Sequence, residues 1–420
     1  LIAMNEEPKR KGIPPRAGLY LTVGIFVGVL LAGLAFAGLT LLGPASTLVY
    51  SATFNITATP LPPAAAQAAS TRQPPTALPR LQLQPTVIAS HLTALDVART
   101  NDGTTFAVAI WGEVDLNGDG VNEMGSSIEL RQQRDPNSLL SQARRLFTGA
   151  SLIDTLVFSP DGSKLVAGSR DTDGNRAYII DVATGEVLQS LAGQSVAAFS
   201  PDGALLALAG SSGGIRLLDA HTLAFREAIP IEHTTPIYSM AFAPNSRELA
   251  VGGILNDNGG RNGVHIYDLN NPDAAPESYG AEQRVTAIAW HPDADAQLLA
   301  LAVAGNVLLV DRSDASFRLM PFDGRQVTAV DFSTTGAWLA AAGGDSGLGT
   351  GLINVWRWDS SSGQPMIDST MPLTFTDHAH IVTGLVFIPD SSAQFLSVGR
   401  DGSVRLWDAS QAQQLSQLQM

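Results

Sequence analysis

Cysteine is missing from all 420 residues, and with it go disulfides, thiolate metal sites and cysteine nucleophiles. Its absence leaves the redox compartment open, since exported chains also fold without disulfides. Lysine is nearly missing as well: beyond the first 16 residues there is only Lys164. The formal net charge is −14. That balance argues against a nucleic-acid partner, because phosphate binding needs clustered Lys and Arg to release counterions.

Charge is also missing between Arg16 and Arg72. Residues 1–16 carry Lys9, Arg10, Lys11 and Arg16, and the chain then runs largely apolar over 17–42. A helix of that length, about 39 Å at 1.5 Å per residue, would exceed the roughly 30 Å hydrocarbon layer of a bilayer. The expectation is a transmembrane signal anchor over 17–42, with 1–16 cytoplasmic and everything after the span extracytoplasmic. The alternative is a long cleaved signal peptide. Gly24, Gly28 and Ala32 share one face of that helix at the spacing that lets two helices pack closely, which suggests a homodimer; the plain reading is small lipid-facing residues. Residues 43–80 are rich in Pro, Ala and Thr, and such a stretch reads as an extended spacer.

From residue 81 to 420 the chain repeats itself. Seven short apolar strands recur, from Leu92-Thr93-Ala94-Leu95-Asp96-Val97 to Val382-Thr383-Gly384-Leu385-Val386-Phe387. Five are followed at once by a turn containing proline, clearest in Ser159-Pro160-Asp161-Gly162 and Ser200-Pro201-Asp202-Gly203. Proline presets φ there and glycine accepts φ > 0. Six repeats close a later strand on an apolar residue and Asp: Ile180-Asp181, Leu218-Asp219, Tyr267-Asp268, Val310-Asp311, Trp358-Asp359 and Trp407-Asp408. A length rule would suggest two or three domains, but an internal period overrides it and one array is the better count.

In these features the chain resembles the WD-repeat β-propeller family. The resemblance implies an all-β, seven-bladed propeller with four strands per blade. Only two repeats carry the literal Trp-Asp pair, and Asp377-His378 replaces the family's Gly-His. In the last repeat His378, Ser397, Asp401 and Trp407 match the family's hydrogen-bonded tetrad. Either Arg80 to Thr86 or Gln413 to Gln419 would supply the outer strand of the last blade.

In a four-stranded antiparallel blade the loops between second and third strands leave from one face. The long loops, 112–125, 170–176, 255–263 and 343–351, are all of this type, which marks a binding face; the plain reading is hairpin loops that tolerate length. One carries chemistry. Asp115-Leu116-Asn117-Gly118-Asp119-Gly120-Val121-Asn122-Glu123 sets oxygen ligands at alternate positions, and Ca²⁺ would take Asp115, Asn117, Asp119, the Val121 carbonyl and Glu123. The string resembles the short calcium loops of integrin-type propellers and thrombospondin repeats. It does not complete an EF-hand, since position twelve is Ser126 rather than Glu, and the alternative is a plain hairpin built on Asn-Gly and Asp-Gly.

Two strings look like hydrolase nucleophile motifs, Gly344-Asp345-Ser346-Gly347 and Gly210-Ser211-Ser212-Gly213-Gly214. Both fall in hairpins, whereas a nucleophile elbow needs strand-turn-helix. The expectation is therefore no enzyme but a membrane-anchored, extracytoplasmic protein-interaction scaffold. The alternatives are an enzyme or enzyme subunit acting on an envelope polymer, and a structural subunit of a membrane complex.

Overall fold

The computed structural model describes residues 92–420, except 134, 136, 140–142, 171–173, 211–213, 230–235, 254–262, 281–283, 304, 324, 346, 348, 360–363, 366–371 and 390–392. The expected segments 1–16, 17–42 and 43–80, with Gly24, Gly28 and Ala32, lie outside the described residues. Among those residues the one helical element is a 3₁₀ turn, Ala294–Ala296, so no helix there is long and apolar enough to cross a membrane.

Seven antiparallel sheets follow one another along the chain, over 93–149, 153–192, 196–229, 237–280, 285–321, 326–375 and 382–419. These are blades 1 to 7 of a β-propeller. Within each blade the strands pair in chain order; in blade 6 a two-residue strand, Gln364–Pro365, precedes the outer strand Leu373–Phe375. The first strands of successive blades pack against one another, and that of blade 7 packs against that of blade 1. Among the described residues the ring closes without a shared strand. Gln413–Gln419 is the outer strand of blade 7, which settles the choice left open by the sequence in favour of the C-terminal segment.

The core is divided among the seams rather than gathered in one place. There are seven clusters of buried apolar residues, and each draws from two neighbouring blades. A second strand is therefore buried on both faces. This explains runs such as Leu205–Ala209 and Leu298–Val303, where large and small apolar residues alternate to interdigitate with both neighbours.

Polar contacts in the first strands fix the seams. In six of the seven blades the first strand carries a register shift near its start, leaving one bulged residue: Leu95, Asp154, Tyr238, Thr286, Thr328 or Thr383. A bulge re-aims its side chain. Thr286 donates to the Val327 carbonyl at 3.0 Å, Thr328 to that of Val382 at 2.6 Å, and Thr383 to that of Ala94 at 2.9 Å. Each of these bonds crosses to the next blade, and the last one closes the ring. Two aspartates do the same farther along the strand: Asp96 accepts from the Leu156 N–H at 2.7 Å and Asp331 from the Phe387 N–H at 2.8 Å.

The turns follow from local chemistry. Ser159 donates to Asp161 at 2.6 Å while accepting from the Lys164 N–H at 2.9 Å, and Ser200, Asp202 and Leu205 repeat the pattern. The aspartate that ends the third strand caps the next turn: Asp181 accepts from the Thr184 N–H at 2.8 Å, Asp219 from that of Thr222 at 2.9 Å, and Asp408 from that of Ser410 at 2.8 Å. A short acceptor side chain is what such a turn requires.

Blade 7 holds the tetrad. Ser397 Oγ meets His378 Nε2 at 2.7 Å and accepts from Trp407 Nε1 at 2.8 Å, while His378 Nδ1 lies 3.0 Å from Asp401. Burial opposes ionisation of Asp401, but His378 and the Ser403 N–H outweigh it and hold the carboxyl well below its usual range. At the seam of blades 4 and 5 a different device serves. Arg312 forks onto Glu248 at 2.8 and 3.2 Å, reaches Glu277 at 2.5 Å and stacks over Trp290.

Two expectations follow. Replacing Ser397 with Ala leaves two buried ring nitrogens without their shared partner and should cost about 2–4 kcal/mol in urea unfolding; an unchanged midpoint would dismiss the tetrad as a stabilising unit. The second concerns pH. Burial pushes the carboxyls of Asp96 and Asp331 up to about 7, outweighing the backbone N–H donors that favour the charged form. The folded state then binds these protons more tightly than the unfolded state. The stability this lends is complete below pH ~4 and is lost as pH rises towards about 7, by at most about 4 kcal/mol per site, less where water reaches the group. Asp331→Asn, which keeps an acceptor without a charge, should flatten its share of that slope between pH 4 and 7.5.

Candidate functional site

The first strand starts beside the end of the second, at Thr93↔Trp111 in blade 1 and Ile153↔Ser169 in blade 2. The loops between second and third strands and the starts of the first strands therefore share one face, and the axial opening of the ring on that face is its mouth. In blade 1 the second and third strands, Thr105–Val114 and Glu123–Gln132, pair along their whole length, so their hairpin runs on past the start of the first strand. Its distal part exposes two apolar side chains, Val121 and Met124. The 255–263 loop lies almost wholly outside the described residues, as do Ser211, Ser212 and Ser346 of the hydrolase-like strings. Asp345 accepts from the Gly347 N–H at 2.7 Å, a turn contact with no helix after it.

At the hairpin tip the expected calcium ligands are partly brought together. Asp115 accepts from the N–H of Gly118 at 2.7 Å and of Gly120 at 3.0 Å. Asn117 accepts from the Asp119 N–H at 3.0 Å and donates to the Asp119 carboxylate at 3.1 Å, and Asp119 accepts from the Val121 N–H at 2.8 Å. Gly118 and Gly120 take φ of 80° and 84° to make the curl. Desolvation works against the charge on Asp115, but the N–H donors prevail and hold its carboxyl below the usual range. Glu123 opens the third strand and is exposed. Among the described residues no group of three or more His, Asp or Glu is placed to hold a metal. Calcium would have to draw Asp119 and Glu123 in towards Asp115.

A second constellation, at the mouth itself, escaped the sequence reading. At the bulge position, where blades 5 to 7 place threonine, blade 2 has Asp154 and blade 4 has Tyr238. Arg170, just after the second strand of blade 2, pairs with Asp154 at 3.1 Å. Its guanidinium also lies 5.7 Å from the centre of the Tyr238 ring, and so does that of Arg284, which immediately precedes the first strand of blade 5. Blades 2 and 4 are not neighbours, so this contact bridges the place of blade 3. Blade 3 permits it: its first strand, Val196–Phe199, has no bulged residue to intrude. Burial raises the pKa of Asp154 against the pull of Arg170. The signal was legible in principle, as two bulky polar residues in a column of threonines, but only with the bulge register in hand.

Comparison with known proteins agrees with this architecture. The family described as WD domain, G-beta repeat, matches at residues 318–349 and 370–408. Transducin beta-like protein 3 of Rattus norvegicus is 27% identical over 256 residues, covering 57% of this chain and 30% of the relative. The protein of the same name from Bos taurus is 28% identical over 260 residues, covering 56% and 29%. The chain thus spans about 30% of the length of the curated relatives it matches. The chain carries WD repeats in a seven-bladed propeller. The expected localisation, a single-pass membrane protein with its propeller outside the cytoplasm, does not stand: no helix among the described residues can cross a membrane, the 17–42 stretch lies outside them, and the relatives bear the name of transducin beta-like proteins, in which no membrane figures.

Proposed function

We propose that this chain is a protein-interaction scaffold that presents its loop face to a protein partner. One observation supports the reading above others: the blade 1 hairpin extends beyond its own first strand and carries Val121 and Met124, 60% and 55% exposed, where they add nothing to any seam. Apolar side chains held out on a rigid hairpin suit a partner's surface. The enzymatic alternative would want carboxylates converging in one pocket. The two carboxyls raised to about 7, Asp96 and Asp331, instead accept backbone N–H groups across different seams, and Asp154, whose charge helps to raise Asp96, is paired with Arg170.

Calcium at Asp115, Asn117, Asp119, Val121 and Glu123 is the second part of the proposal. It is favoured by the ionised state of Asp115 and by a loop already curled about that carboxylate. Bound there, the ion would stiffen the hairpin that carries Val121 and Met124.

The scaffold reading is tested by capture from lysate with the full chain, comparing wild type, the paired variant Val121→Ser and Met124→Ser, and a control on exposed outer-strand residues, Phe225→Ser with Leu319→Ser. Proteins lost only with the hairpin variant support it; equal capture by all three would move the interaction off this face. For calcium, calorimetric titration should show binding in the range of about 10⁻⁴–10⁻³ M, as in extracellular modules, abolished by Asp115→Ala. No heat in the wild type would leave the loop a plain hairpin.

A further inference from the structure

We infer that the mouth of the propeller is a socket for a single acidic side chain of a partner peptide, held by Arg284 and Arg170 around the Tyr238 ring. The inference rests on the scaffold reading and names the chemistry the loop face selects.

Two guanidiniums lie over one aromatic ring here, and Asp154 pairs with only one of them, that of Arg170, in an unusual arrangement. Its benefit is orientation. A guanidinium stacked over a tyrosine face keeps its N–H edge in a fixed plane, directed away from the ring, and that edge matches the two oxygens of a carboxylate. The two arginines are not equivalent. Arg170 is anchored: its Nε is paired with Asp154 at 3.1 Å, and its own backbone N–H donates to the Leu152 carbonyl at 3.1 Å. Arg284 is exposed, and among the described residues no carboxylate pairs with it. Arg170 and Asp154 thus fix one guanidinium beside the ring, and Arg284 offers a charge that no carboxylate among the described residues pairs.

The surroundings narrow the ligand. The chain carries 39 acidic residues against 25 basic, and Asp115, Asp119 and Glu123 project from the same face. A polyacidic tract or a nucleic-acid backbone would meet that rim before it met the mouth. One carboxylate flanked by neutral or basic residues would not: its neighbours would be attracted to the rim while the acid enters the socket. Recognition would therefore depend on short-range geometry at the mouth more than on long-range steering.

The test uses the full-length protein and arrays of randomised octapeptides with one central position fixed as Glu, Gln, phosphoserine or Arg. Wild type should retain the fixed-Glu set over the fixed-Gln set. Arg284→Ala should abolish that preference, with a loss of about tenfold or more in affinity for the best Glu peptide, as expected for a charge-assisted hydrogen bond. Tyr238→Phe, which keeps the ring, should bind like wild type. Arg284 lies on the surface, and an unchanged thermal midpoint would show that its variant is folded. Equal retention of Glu and Gln sets, preference for the phosphoserine or Arg sets, or a Glu preference that survives Arg284→Ala would each overturn the inference. The scaffold reading fails separately: cellular proteins captured through the hairpin but indifferent to Arg284→Ala would leave it intact while removing the socket.

Discussion

Everything in this molecule depends on the contact between one first strand and the next. A four-stranded sheet with two apolar faces is not stable alone, and here each sheet finds its second layer only in its neighbours. The threonine bonds from blade 5 to 6, 6 to 7 and 7 to 1 set the height at which successive first strands meet. With that height fixed, the alternating large and small side chains of the second strands fall into register across the seam. The apolar clusters supply most of the free energy, and the inter-blade polar bonds specify the alignment in which it is gained.

Closure makes the heaviest demand on this scheme, because among the described residues no strand is shared between blade 7 and blade 1. The seam relies on the Thr383 bond to Ala94, on the Leu139 N–H donating to Ser416 at 3.2 Å, and on an apolar cluster joining Phe106, Val108 and Ile110 to Leu396, Val398 and Leu406. Gly384 shows how tight it is. A Cβ there would lie 2.8 Å from the Asp96 carboxylate, in the repeat position where blades 5 and 6 have Ala287 and Ala329. The complete tetrad occurs in this same blade, on the blade 7 side of the closure.

What was legible in the sequence and what was not divides along the range of the interactions. The proline turns, the aspartates that end third strands and the number of blades could be read because each is local: Ser159 and Asp161 close their turn whatever lies opposite. The tetrad was legible through resemblance, residue by residue, and His378, Ser397, Asp401 and Trp407 do meet. The calcium string was legible as a loop, and the backbone N–H groups of Gly118 and Gly120 that curl it about Asp115 are contacts that spacing alone does not reveal. The cluster at the mouth could be read only with the bulge register in hand, which spacing does not supply. Arg170, Tyr238 and Arg284 stand 68 and 46 residues apart in order, and only the ring brings them together.

The bulge position shows how such a scaffold can carry specificity without weakening itself. Where it holds threonine, it joins two blades and the mouth gains nothing. In blades 2 and 4 the same position holds Asp154 and Tyr238, and among the described residues no hydrogen bond from either to the next first strand replaces the threonine bond. Those seams still close, through clusters that join Val166 and Ile179 to Phe199 and Leu206 on one side and Val264 and Ile266 to Ile288 and Leu301 on the other. Three threonine seams in succession, ending at the closure, leave the opposite arc of the ring free to use the position for something else. Polar residues placed where a structural bond is given up, and joined through Arg170 past blade 3, are better explained by recognition than by folding.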